Sequence, residues 1–99
     1  MLVHTVFFWM KKNAPKSAAK QTIQDALKYL KTPSVRQIWA GPPAKTPARD
    51  VINSTYDVGL TVTFDSVADH DAYQDAPQHQ VFIRRNKKNW LRVEVFDFQ

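Results

Sequence analysis

The chain has 99 residues, 43% of them hydrophobic, with twelve aromatics, fourteen Lys and Arg against nine Asp and Glu (net charge +5), and no cysteine. That length suits one small domain spanning residues 1–99, and the apolar share excludes an intrinsically disordered chain. The missing thiols exclude disulfides and cysteine metal centres, which fits a reducing compartment.

No apolar run approaches the ~20 residues of a membrane span. Met1–Val6 carries no basic, signal-like start, so the expectation is a cytoplasmic protein with no membrane partner. Positive charge is spread over Lys11–Lys31, Lys45–Arg49 and Arg84–Arg92 instead of forming one stripe, and no nucleic-acid partner is expected.

Residues 2–10, Leu-Val-His-Thr-Val-Phe-Phe-Trp-Met, are β-branched and aromatic and predict a strand. Alternation puts Leu2, His4, Val6, Phe8 and Met10 on one face and Val3, Thr5, Phe7 and Trp9 on the other. Both faces are apolar, whereas a strand wetted on one side shows a polar row.

A helix is expected from a cap at Asn13 or Ala14, with Pro15 in its first turn, to about Lys31. Its buried stripe would be Ala19, Ile23, Ala26, Leu27 and Leu30. Val35–Ala40 reads as a second strand. Gly41–Ser54 contains three prolines and no periodicity, the mark of an arm or interface loop; its Asn53-Ser54-Thr55 sequon is discounted without a secretion signal.

Tyr56–Phe64 predicts a third strand, with Tyr56, Val58, Leu60, Val62 and Phe64 on one face. It lacks the aromatic pattern with which RNA-binding sheets stack bases. Asp65 or Ser66 should cap a helix to about Asp75, and Pro77 should open another carrying Val81 and Phe82. His70, between Asp69 and Asp71, is expected to face solvent, and the basic run Arg84–Lys88 to be a solvated helix end. Leu91–Phe98 predicts the last strand.

The order is therefore βαββαβ with an extra helical piece, an α+β, ferredoxin-like pattern. Helices cover one face of a four-stranded sheet, and the other face carries Phe7 and Trp9. Apolar residues of that kind predict an interface, and a two-fold homodimer with sheets face to face is the simplest cover.

His4–Trp9, Tyr56–Leu60 with Phe64-Asp65-Ser66, Tyr73 followed by Pro77-Gln78-His79, and the ending Val95-Phe96-Asp97-Phe98 resemble the landmarks of the stress-responsive A/B barrel (Dabb) domain, in order and over nearly the whole chain. The resemblance implies ferredoxin-like subunits paired into a dimeric α+β barrel. Function across that family is mostly unassigned.

The best-defined enzyme resemblance within it is to plant polyketide cyclases of the olivetolic acid cyclase type, which work without metal or cofactor. It implies a catalytic pair at Tyr73 and His79, with His4 lining the same pocket. A further pocket histidine of the cyclase falls at Val58 here, a departure from its pattern. Val6, Phe8, Leu27 and Phe82 would wall the pocket.

Neutral imidazole can take a proton from carbon between two carbonyls, and a phenol can donate a hydrogen bond to the forming enolate. Tyr73 and His79 are six apart, so they cannot share a face of one straight helix, but a break at Pro77 could let them converge. Three scattered histidines make a weak metal case, and neither metal nor cofactor is expected.

Two functions stay open. One is a metal- and cofactor-independent, cyclase- or lyase-like activity on a small apolar, carbonyl-rich ligand. The other is a non-enzymatic, stress-related ligand-binding or structural barrel. Cofactor-independent monooxygenases sharing the dimeric barrel are a remoter option.

Overall fold

The computed structural model describes all residues 1–99. Its elements are β1 (Leu2–Met10), α1 (Ala18–Tyr29), β2 (Gln37–Gly41), β3 (Val58–Phe64), α2 (Val67–Asp75), α3 (Pro77–Asn86), a 3₁₀ turn (Lys87–Asn89) and β4 (Trp90–Phe98). The four strands form one antiparallel sheet in the order β2-β3-β1-β4. All three α-helices lie on one side of it, as a ferredoxin-like fold requires. No helix is long and apolar enough to cross a membrane.

Strand register sorts the side chains. His4 stands opposite Val62 on one side and Asp97 on the other, and Val6 stands between Leu60 and Val95. These residues face the helices, and Val6, Phe8, Val58, Leu60, Val62 and Phe64 bury there with Ala26, Leu30, Tyr73 and Phe82. The opposite face carries Trp39, Phe96 and Phe98, all more than half exposed.

The paired helices α2 and α3 follow the sequence closely. Ser66 caps α2, its hydroxyl accepting a hydrogen bond from the Asp69 amide at 3.2 Å. Ala76 is extended (φ −64°, ψ 139°), closing α2 and opening α3, where Pro77 takes the first position that needs no amide hydrogen.

Helix α1 differs from expectation. Lys11–Ser17 is spent on turns, with Ala14 N bonded to Lys11 O and Ala18 N to Pro15 O, so the helix starts at Ala18. Its buried residues are Ala18, Thr22, Asp25 and Ala26, and Leu27 is 36% exposed. The expected stripe keeps Ala26 and Leu30 in the core and Ala19 and Ile23 packed against it, but it loses Leu27 and widens to take in Thr22 and Asp25. Polar partners cause this. Asn86, fully buried, donates to Asp25 at 3.0 Å and accepts from Thr22 at 3.1 Å, while Arg85 pairs with Asp25 at 2.8 Å. Within Arg84–Lys88, Arg84, Lys87 and Lys88 are exposed as expected, whereas Asn86 is buried and Arg85 is held by Asp25.

Tyr56 also departs from expectation. It precedes β3, and its ring lies 4.7 Å from that of Phe7, on the open face. The 42–57 connection is tied to the same region by Trp9 Nε1 donating to Thr55 (3.1 Å) and Met10 N donating to Asp57 (2.7 Å).

Candidate functional site

The helices roof β1 and β3 but leave β4 uncovered, so Val93 and Val95 are 41% and 50% exposed on the helix side of the sheet. Beneath the roof, at that uncovered edge, lies a cavity of about 150 Å³. His4, Val6, Phe8 and Leu60 form its floor, Tyr73, Gln74, His79, Phe82 and Ile83 its helical wall, and Trp90, Val93 and Val95 its rim. An apolar space of ~150 Å³ holds about one aromatic ring.

The break at Ala76-Pro77 brings Tyr73, on the last turn of α2, against His79, on the first turn of α3. Their rings stand 4.8 Å apart, edge to face at 80°. Tyr73 is 1% exposed, and burial pushes its phenol far above the usual tyrosine range. It stays a proton-bearing donor at any working pH.

Burial, reinforced by the charges of His4 and His70, holds His79 below the ordinary histidine value. Its place in the first turn of α3 adds to this, because the positive end of a helix disfavours a further positive charge. The neutral imidazole is the resting form. Its Nδ1 is buried and bonds to no group of the protein, an uncommon state for a buried polar atom.

His4 is 4% exposed, and its Nδ1 lies 2.5 Å from Asp97 Oδ1. Burial lowers its pKa, the hydrogen bond and charge of Asp97 oppose that, and His70 adds to the lowering.

Of the residues singled out in the sequence, His4, Val6, Phe8, Tyr73, His79 and Phe82 share this cavity. Leu27 does not line it; on α1 its side chain is at the edge of the buried stripe and 36% exposed. Val58 does not line it either; it is fully buried in the core beside Phe8. His70 is not simply solvent-facing. Its side chain is only 17% exposed, its ring 5.0 Å from that of His4 and 5.5 Å from that of Phe64. The signal was available: His70 lies three residues before Tyr73, hence on the same helix face. Asp97 was missed as well, since its pairing with His4 spans 93 residues.

The depressed His79 pKa has a consequence for stability. The unfolded chain takes up a proton near pH 6.5 that the folded His79 refuses, so stability is full above pH ~6.5 and falls as the pH drops from there toward the folded value. Urea unfolding at pH 7.5 and pH 5 should show a larger acid loss for wild type than for His79→Leu. Equal losses in the two proteins would remove His79 as the source.

A one-sided helix layer, an apolar sheet face left open and a side-chain pocket at the β4 edge define a ferredoxin-like α+β subunit of the barrel-forming kind. The chain belongs to the stress-responsive A/B barrel (Dabb) domain family, whose profile matches residues 2–99. No curated protein sequence matches it.

Among solved structures, it is similar to a Dabb family protein with a ferredoxin-like fold from Mesorhizobium loti (25% identity, TM-score 0.76, covering 99% of this chain and 94% of that one). It also shares its fold with a dimeric ferredoxin-like protein of unknown function from Thermobifida fusca (17% identity, TM-score 0.81, covering 98% and 88%). A third likeness of fold is to the hydroxynitrile lyase of Passiflora edulis (21% identity, TM-score 0.77, covering 98% and 90%).

Proposed function

We propose that the cavity binds a small, largely apolar molecule bearing a carbonyl group, and that Tyr73 and His79 move a proton on it without a cofactor. The observation that carries this reading is the buried His79 Nδ1, which has no protein partner yet sits in the wall of an otherwise apolar cavity beside a proton-bearing phenol. An unpaired buried polar atom costs about 1–3 kcal/mol, and a ligand that bonds to it recovers that cost.

The two groups are displaced in the directions such chemistry uses. Neutral His79 takes a proton from the carbon next to the carbonyl, and Tyr73 donates a hydrogen bond to the oxygen on which charge develops. Their environments assign the roles, one a base and the other a donor. His4, held by Asp97, lines the floor and orients the carbonyl end, while Phe8, Phe82 and Trp90 enclose an aromatic or alkyl body. The open β4 edge lets a longer tail run out along Val93 and Val95. The working form is a homodimer joined through the open sheet face; the Thermobifida fusca likeness, itself described as dimeric, supports it.

The test uses 1-phenylbutane-1,3-dione in deuterated buffer, following loss of the proton signal between its carbonyls by NMR. Wild type should accelerate exchange, and His79→Leu should remove roughly 10²–10⁴-fold of that acceleration. Because leucine leaves no orphaned nitrogen, His79→Leu should unfold at the same urea concentration as wild type or a higher one. Identical exchange with wild type and variant would end the catalytic reading. Probe binding without any acceleration would leave a ligand carrier, the second reading that this apolar cavity supports.

A further inference from the structure

Behind the floor of the cavity, at the chain's C-terminal end, three side chains converge that the proton-transfer reading does not require together. His4 from β1, His70 from α2 and Asp97 from β4 each offer a ligand atom within 4.8 Å of the other two. We infer that these three residues bind one divalent transition-metal ion, with zinc the best fit, and that the ion fastens α2 and the end of β4 to the central strand.

The donor set selects the ion. Two imidazoles and one carboxylate suit zinc and its first-row neighbours, whereas calcium and magnesium take oxygen ligands almost exclusively. Three protein ligands leave a fourth tetrahedral position open, and a shallow depression lined by His70, Asp71 and Asp97 lies over the cluster to admit water or a small anion there.

The geometry needs little adjustment. Ligand atoms sharing a zinc at bond lengths of ~2.0–2.1 Å stand roughly 3.3 Å apart. His4 and Asp97 are now closer than that, at 2.5 Å, and the widest separation in the trio is within 4.8 Å. The Asp97 side chain is 43% exposed and that of His4 only 5%, so the carboxylate is the partner with room to adjust.

Two further features support a ligating role for His70. Its Nδ1 lies 3.1 Å from Asp71 Oδ1, the carboxylate–histidine arrangement that orients an imidazole toward a metal. Its ring packs among Phe64, Tyr73 and His4, at 5.5, 6.4 and 5.0 Å, and its Nε2 has only the Gln74 amide nitrogen near it, at 3.4 Å, where no strong hydrogen bond competes with a metal.

The test is calorimetric titration of untagged, chelator-stripped protein with zinc chloride alone, paired with thermal unfolding with and without zinc. Wild type should take up one zinc per chain and unfold at a higher temperature with it, as binding to the folded state alone requires. His70→Leu should fold, lose that zinc-dependent shift and bind at least about a hundredfold more weakly, and Asp97→Asn should do the same. Asp71→Ala, which removes only the orienting carboxylate, should weaken binding by roughly 10–100-fold. No uptake by wild type overturns the proposal. So does uptake that survives His70→Leu but disappears in His79→Leu, since the ion would then sit in the cavity.

Discussion

Asn86→Leu is expected to lower the stability of the folded chain by about 3 kcal/mol, a large share of the 5–15 kcal/mol typical of a domain. For a chain of this size that corresponds to a fall in Tm of roughly 12–24 °C. The reason is the number of elements that one amide joins. Its nitrogen donates to Asp25 at 3.0 Å and to the Phe82 carbonyl at 2.9 Å; its oxygen accepts from Thr22 at 3.1 Å and from Gln21 at 3.4 Å. The Thr22 hydroxyl in turn accepts from Trp90 Nε1 at 3.2 Å, so the network runs from α1 through α3 to the start of β4.

Leucine fits the space but bonds to none of these groups. Asp25, only 8% exposed at its side chain, would keep Arg85 alone, and the Thr22 hydroxyl would have no acceptor. Each orphaned buried group costs about 1–3 kcal/mol. Urea unfolding followed by far-UV circular dichroism checks the value, and a loss below about 1 kcal/mol would mean that the network contributes little. The paired change Asp25→Leu with Asn86→Leu should cost less than the sum of the two single changes, because removing both partners leaves fewer groups unpaired.

That network also marks the limit of what the sequence disclosed. Alternation in β1 and over Val58–Phe64 of β3, the Ser66 cap and Pro77 are local signals, and together they specify strand faces, the starts of α2 and α3 and the break that lets Tyr73 meet His79. The face of α1 is not a local property. Apolar periodicity favours Leu27, and the structure favours Thr22 and Asp25, because their partners lie about sixty residues away and turn two polar residues into interior ones. His70 is a similar case. Its acidic neighbours Asp69 and Asp71 suggest a wet helix, whereas the helix phase set by Tyr73 turns it inward.

The cavity itself was legible only through family resemblance. Composition places Val6, Phe8 and Phe82 in the interior, but whether they meet or leave a space depends on how far the helices reach over β4. The exposure of Val93 and Val95 is the structural fact that opens the site. The unpaired Nδ1 of His79 is likewise a property of packing: the same residue with a carbonyl in reach would have been an ordinary buried histidine.

Trp39→Asp combined with Phe96→Asp is expected to convert the protein from a dimer to a monomer, with a light-scattering mass falling from twice 11.4 kDa to 11.4 kDa at micromolar concentration. Both residues are 54% exposed, at opposite ends of one row across the sheet: Trp39 pairs with Thr61, Thr61 with Thr5, and Thr5 with Phe96. The two threonines in the middle bond to each other at 3.1 Å, which ties off their hydroxyls and lets the row face an apolar surface. Phe98, Phe7 and Tyr56 extend the same face, with Phe7 6.1 Å from Phe96.

The subunit measures 35 by 30 by 18 Å, and its broad side can supply the ~800 Å² per partner of a standard interface. A two-fold axis presents each substitution twice, and a carboxylate held against aromatic rings without a partner costs several kcal/mol, enough to separate the copies. The helix-side core is untouched, so the monomeric variant should keep its circular dichroism spectrum and its cavity. A wild-type mass of 11.4 kDa would overturn the dimer outright; an unchanged mass in the double variant would move the interface to another face.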